Sequence, residues 1–266
     1  MAELVEIIAD LRAEHDALDA VVAGLEADDW DGSTPAEGWS IRDQITHLTF
    51  FDEQAQMAVA DPDGFADALA SAAEDPLTFT DRPLAEARLQ QTGEVLGRWR
   101  AARAKMLEAF ASLEPRTRIP WYGPPMSARS FVTARLMETW AHGQDIVDAL
   151  GVQRKATGRL RHIAHLGVLA RPFAYQVHGL TMPDEPVRVE LEAPDGAVWT
   201  WGDPGGASVR GPALDFCLVV VQRRHVDDTR LETQGAAARQ WMEIAQAYAG
   251  PAGPGRRPGQ FPAEAG

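Results

Sequence analysis

The sequence predicts an α+β chain, a helical N-terminal bundle followed by a small α/β domain, and three observations predict it. Apolar residues recur at helical spacing through long stretches of the first 155 residues. From Pro186 the period shortens to two, as Val187, Val189 and Leu191 alternate with Arg188, Glu190 and Glu192. Beyond Gly250 the chain turns rich in Pro and Gly. The expected organisation is a bundle over 1–155, a connecting helix over 156–180, an α/β unit over 181–250 and a tail over 251–266.

The first helix covers Leu4 to Leu25, where Leu4, Ile7, Ile8, Leu11, Leu18, Val21, Val22 and Leu25 recur at helical spacing among acidic residues. His15 lies within it without a second ligand-type residue at useful spacing, which assigns it to the surface or to a contact between helices. Residues 28–38 mix Asp, Gly, Ser, Thr and Pro around Trp30 and read as a loop. A second helix runs from Ser40 to about Ala60, with Ser40 as N-cap, Asp43 three residues on in an acidic capping box, and Trp39 at its entrance. The Ala-rich, acidic segment up to Asp81 predicts short helical pieces.

A third long helix is expected from Pro83 to Leu113, with Pro83 in its first turn. The stiff loop Ile119-Pro120-Trp121-Tyr122-Gly123-Pro124-Pro125 follows; Trp121 and Tyr122 either line a pocket or seal the end of the bundle. The fourth helix spans Phe131 to Leu150 and Gly151 suits its C-cap, and a further helix is expected over Gly158 to Val177. Pro194-Asp195-Gly196 turns the period-two run into Val198–Trp201, and Gly205-Gly206 reads as another hairpin turn. The predicted order then continues with a strand over Ala207–Arg210, a helix over Pro212–Arg224, a strand over Arg230–Thr233 and a helix over Ala236–Tyr248.

Within the fourth helix, Glu138 and His142 stand one turn apart and Asp145 follows on the same face. A carboxylate and an imidazole at i and i+4 can grip one divalent metal, but a catalytic zinc-type site takes three protein ligands. His47, beside the Ile41, Ile45 and Leu48 stripe of the second helix, is the best third ligand. A buried, ionised Glu138 needs a cation, and a metal competes for that role with an ion pair to Arg135, three residues away. Asp145 either orients His142, accepts a proton or binds a cofactor, the first being favoured by its position. His162 and His165, at i and i+3, lack a matching carboxylate. His225 with Asp227 and Asp228 reads as a helix cap.

Composition narrows the function classes. Lys+Arg of 25 against Asp+Glu of 39 leaves a net charge of −14, which disfavours nucleic acid and anionic membranes as partners. Cys217 is the single cysteine, in an apolar context that predicts an unreactive thiol and excludes an internal disulfide or a cysteine-based metal cluster. With no leader pattern and no apolar run long enough to span a bilayer, a cytoplasmic location is expected. The partners are then small molecules, and the chain is a monomer or homodimer.

Trp39-Ser40-Ile41-Arg42-Asp43 leading to His47-Leu48, then Glu138-x3-His142-x2-Asp145 and a small α/β domain, resembles the mycothiol-dependent maleylpyruvate isomerase group of the DinB-like superfamily. The match spans most of the chain. Gln222-Arg223-Arg224-His225-Val226-Asp227-Asp228 and Ala245-Gln246-Ala247-Tyr248-Ala249-Gly250-Pro251 look like a subgroup of metal-binding proteins of unknown activity. The resemblance implies a DinB-like four-helix bundle and a sterol-carrier-like α/β domain, with His47, Glu138 and His142 as metal ligands. It also implies zinc, with nickel or iron as alternatives, a mycothiol-type thiol, and an arginine, Arg223 or Arg224, for an acidic substrate. The function expected on this basis is metal- and thiol-dependent isomerisation or S-conjugation of a small electrophile. A non-catalytic metal or ligand binder and a metal-water hydrolase are the alternatives.

Overall fold

The computed structural model describes residues 3–74 and 78–261. The chain forms two compact units, Met1–Arg154 and Lys155–Gly266, and together they make an α+β fold.

The first unit is built on four long helices, α1 (Leu4–Val22), α2 (Ile41–Ala60), α5 (Thr92–Ala111) and α6 (Ala128–Leu150). α2 packs against α5 and α6, and α1 packs against α6 and α5, so the apolar stripes meet in one core. Leu18, Trp30, Ile41, Ile45, Leu48, Trp99 and Ile146 are among its buried members. The start of α2 is tightly set. Ser40 and Asp43 exchange capping bonds, and Arg88 holds the same Asp43 carboxylate at 2.9 and 3.0 Å. Two shorter helices, α3 (Pro62–Glu74) and α4 (Thr78–Ala87), pack on α2 and are the expected helical pieces; residues 75–77 of that stretch lie outside the described residues. A two-residue ribbon, β1 (Arg118–Ile119) with β2 (Met126–Ser127), leads into α6, whose N-cap is Ser127 and whose C-cap Gly151 adopts φ 63°.

One expected helix is two. Instead of running from Pro83 to Leu113, the chain breaks after α4 and restarts at Thr92, with Pro83 inside α4 rather than in a first turn. Gln91 and Glu94 form a capping box that starts α5, and the Arg42 guanidinium takes the Gln90 carbonyl at 2.9 Å, drawing off an acceptor that a continuous helix would use. Leu89, at this break, is 89% exposed despite its apolar side chain.

In the second unit the expected Gly158–Val177 helix is likewise divided, into α7 (Leu160–Leu169) and α8 (Arg171–Val177), because Pro172 has no N–H to carry the ladder onward. A mixed sheet of order β4-β3-β5-β6 is formed by β3 (Val187–Glu192), β4 (Val198–Trp201), β5 (Ala207–Pro212) and β6 (Glu232–Gln234). The period-two reading holds here: Val187, Val189 and Leu191 are buried and the intervening residues are more open. Gly205-Gly206 is not a hairpin turn. It lies in the connection that carries the chain past β3, so that β5 pairs parallel to β3 on the side opposite β4. Two further helices, α9 (Ala213–Val220) and α10 (Ala236–Ile244), pack on the sheet, with α7 on α9 and α8 on α10. α7 and α9 approach closely at Gly167, where a Cβ would meet Val220 at 2.8 Å. The tail straps this unit as far as Phe261, since the amides of Gly259 and Phe261 donate to Asp228 at 2.7 and 3.2 Å; residues 262–266 lie outside the described ones.

Polar groups inside the bundle are held across helices. Arg135 of α6 donates to Asp52 of α2 at 2.8 Å, both almost fully buried, and His15 of α1 brings Nε2 to 3.9 Å from the same carboxylate. His15 is thus the interhelical histidine of the two readings above. Burial, reinforced by the charges of Arg103, Arg135 and Arg12, holds its pKa well below 6.5. The folded protein keeps His15 neutral while the unfolded chain takes up a proton below pH 6.5, so this contribution is present above that pH and lost as pH falls, by up to about 1.4 kcal/mol per pH unit. The melting temperature of a His15→Gln variant, followed from about pH 7.5 to about 5.5, is expected to fall less steeply than that of the wild type; parallel slopes would contradict a neutral buried His15.

Candidate metal centre

α6 places Glu138 and His142 one turn apart facing α2, and the cap at Ser40 fixes the register of α2 so that His47 faces them. One ligand atom from each of His47, Glu138 and His142 lies within 4.8 Å of the others, the one such three-residue group among the described residues. His142 Nε2 and Glu138 Oε2 are 3.3 Å apart. An ion in tetrahedral coordination with bonds near 2.1 Å keeps its ligand atoms about 3.4 Å apart, so the spacing and the nitrogen-and-oxygen donor set suit a divalent ion. His142 is 9% exposed, whereas the Glu138 side chain keeps 24% of its surface open, which leaves the carboxylate reachable.

Electrostatics favour an ionised Glu138. Burial pushes its pKa up, but the His142 hydrogen bond and the positive charges of His142, Arg135 and His47 outweigh burial and hold it at about 2. Arg135, the alternative partner on spacing, donates instead to Asp52, so Glu138 turns to the histidines.

The imidazoles are walled by aromatic rings. Trp39 stacks on His142 with centroids 6.0 Å apart and an interplanar angle of 16°, and lies 5.0 Å from His47. Phe51 packs on His47 at 4.7 Å and connects it to Trp121 and Tyr122. Those two rings belong to an aromatic cluster with Phe65 and Phe131, and the Tyr122 hydroxyl donates to Gln54 at 3.1 Å. Both are half-buried, so they form a wall one ring removed from His47. Burial pushes the Tyr122 phenol pKa up, which keeps the hydroxyl protonated.

Asp145 is fully buried on α6, but the orienting hydrogen bond to His142 Nδ1 comes from Gln44, at 2.6 Å, with Nε2 turned to Glu138. Sequence reasoning passed over Gln44; its signal was a neutral amide three residues before His47, in the apolar run of α2. Arg223 and Arg224 lie in the second unit just after α9. Arg223 donates to the Val221 carbonyl and Arg224 lies over the Phe261 ring, its centre 4.3 Å from the centroid. His165 accepts from the Trp201 indole at 3.1 Å, and His225 caps the short turn Val226–Asp228. Cys217 is fully buried, and burial drives its thiol pKa up.

A family model described as the mycothiol maleylpyruvate isomerase N-terminal domain matches residues 11–147. The chain belongs to the mycothiol maleylpyruvate isomerase family. Two relatives in this comparison, from two strains of Mycobacterium tuberculosis and each called an uncharacterized protein, are 49% identical over 257 residues, which is 96% of this chain and all of theirs. The crystal structure of the mycothiol-dependent maleylpyruvate isomerase matches with a TM-score of 0.59 at 13% identity, covering 92% of this chain and 97% of that one; a histidine-to-alanine mutant of that isomerase gives the same values. At such identity the fold is what is shared. Family membership places the bundle, and with it the cluster on α2 and α6, in a thiol-dependent isomerase family.

Cys217 serves as a built-in control for thiol chemistry in this family. In the native protein it is expected to resist alkylation by a maleimide and to react only on unfolding, and Cys217→Ala is expected to leave ligand binding unchanged. Rapid native labelling, followed by mass spectrometry, would show the thiol to be accessible after all.

Proposed function

We propose that this protein is a metal-dependent enzyme that uses a low-molecular-weight thiol of the mycothiol type to isomerise or S-conjugate a small, electrophilic, acidic substrate. The observation that carries the reading is the convergence of His47, Glu138 and His142, which come from two helices and place their donor atoms within 4.8 Å of one another, in a chain of this family. Three protein ligands leave a coordination position for an exogenous group, the pattern of catalytic rather than structural zinc sites. A divalent ion, zinc in the first place and nickel or iron otherwise, supplies the positive charge that stabilises a thiolate near neutral pH.

The residues of the chain supply binding and orientation. Glu138, ionised and partly open, contributes the anionic ligand, while His47 and His142 are held between Trp39 and Phe51 so that their rings keep one orientation. The rings of Phe51, Trp121 and Tyr122 offer an apolar wall for the thiol. Asp145 keeps a supporting role on α6. The substrate and thiol are the partners.

Metal analysis of gently purified wild type and His142→Ala, followed by titration with mycothiol, tests this. The wild type is expected to hold near-stoichiometric metal, His142→Ala to lose more than about 100-fold in zinc affinity, because loss of a direct ligand exceeds the cost of losing its support, and thiol binding to require the metal. Metal without thiol binding would redirect the assignment to a hydrolase or a binding protein. No metal in the wild type, even after divalent ions are offered, would make the cluster structural.

A further inference from the structure

Along α2, His47, Phe51 and Gln54 follow one another at intervals of four and three residues, which puts them on one stripe of the helix. All three are half-buried, whereas Leu48, Thr49, Asp52 and Ala55 beside them are buried. The stripe thus runs from the metal centre along a reachable face, and seven residues at a rise of 1.5 Å carry it about 10 Å. Aromatic rings accompany it: Phe51 packs on His47 at 4.7 Å, Tyr122 stands 5.7 Å from Phe51, and Phe79 lies 5.5 Å from Tyr122. At the far end is a polar group. The Tyr122 hydroxyl donates to Gln54 Oε1 at 3.1 Å, and the Gln54 amide makes no other hydrogen bond among the described residues. A side-chain amide has two donor and two acceptor positions, so one phenol leaves most of it open to a ligand. Turning the amide end for end would only exchange which atom is open, because a phenol both donates and accepts.

We infer that Gln54 forms a distal polar subsite of the metal centre, held in place by Tyr122, and that it binds an uncharged amide or hydroxyl group of a thiol whose sulfur sits at the metal about 10 Å away. The inference rests on the proposed function and names the part of the thiol that this end of the site reads. Charge decides the chemistry. The ionic groups at hand are paired off, Arg135 with Asp52 at 2.8 Å and Glu53 with Arg98 at 2.7 Å, so no net charge is left there to recognise a carboxylate or an ammonium group. Among the surrounding rings an ion would also be costly to desolvate, whereas a neutral amide or hydroxyl needs one good hydrogen bond. Gln54 touches the ligand; Tyr122 is a positioning residue that acts through Gln54.

The test titrates zinc-loaded wild type, Gln54→Leu, Tyr122→Phe and the double variant by calorimetry with two thiols. Mycothiol carries amide and hydroxyl groups beyond its sulfur, and 2-mercaptoethanol is too short to span the stripe. The readout is the ratio of the two affinities, because damage to the metal centre weakens both thiols alike and leaves the ratio as it was. Gln54→Leu is expected to lower the preference for mycothiol about 3- to 10-fold, the worth of one hydrogen bond between neutral groups. Tyr122→Phe keeps the ring but releases the amide, and is expected to lower the preference by less. The double variant is expected to match Gln54→Leu, since the phenol acts only through the amide. Tyr122→Phe serves as the deciding variant where Gln54→Leu does not fold or load zinc. An unchanged ratio in Gln54→Leu, or in Tyr122→Phe should it stand in, overturns the subsite and leaves the proposed function standing. A double variant well below Gln54→Leu overturns the positioning role of Tyr122. A wild type that takes up no zinc, or that binds neither thiol when loaded, overturns the proposed function and the subsite with it.

Discussion

Polar side chains at the interface of α2 and α6, most of them buried, must each find a partner there, and the first unit is arranged around that requirement. An unpaired buried polar group costs enough to offset several good apolar contacts, and this interface holds Gln44, Asp52, Arg135, Glu138 and His142. The solution divides them into two separate sets one helical turn apart on α6. Arg135 is drawn to Asp52, and Glu138 is left with His142 and, through it, Gln44. Had Arg135 turned to Glu138, the carboxylate of the cluster would be neutralised from within and Asp52 would be stranded. The buried ion pair thus has a consequence for chemistry as well as for packing, because it keeps the candidate metal ligand available.

Rigidity at this place comes from local capping as much as from the core. Ser40 and Asp43 fix the first turn of α2, Arg88 holds Asp43, and Arg42 reaches back to Asp31 and across to Gln90. His47 lies one turn beyond that anchored segment, and Gln44 lies within it. The aromatic rings of Trp39 and Phe51 then limit the two imidazoles to one orientation. A site that must hold donor atoms to within a fraction of an ångström benefits from being carried on helices whose ends cannot fray. The second unit uses a different means, a mixed sheet covered by α9 and α10 and strapped by its own tail through Asp228.

By itself the sequence determined the α+β class, the four long amphipathic stretches, the capped entrance to α2, the alternation of β3 and the placement of Glu138 and His142 on one helical face. These are local properties, governed by spacing of 3.6 or 2 residues and by capping chemistry, and they are readable from neighbours in the chain. The family signature around Trp39, His47, Glu138 and His142 was legible for the same reason. Tertiary structure alone decided where helices stop when the cause is remote, as at Gln90, whose carbonyl is taken by Arg42 from 48 residues away. It also decided that β5 joins the far side of β3, that His15 is buried between helices, and that Arg135 pairs with Asp52 across 83 residues. Gln44 shows the difference most clearly. Its neighbours mark it only as an amide in an apolar run and do not name its partners, because Thr34 and His142 lie on a loop and on another helix, and a hydrogen bond has no sequence period to announce it.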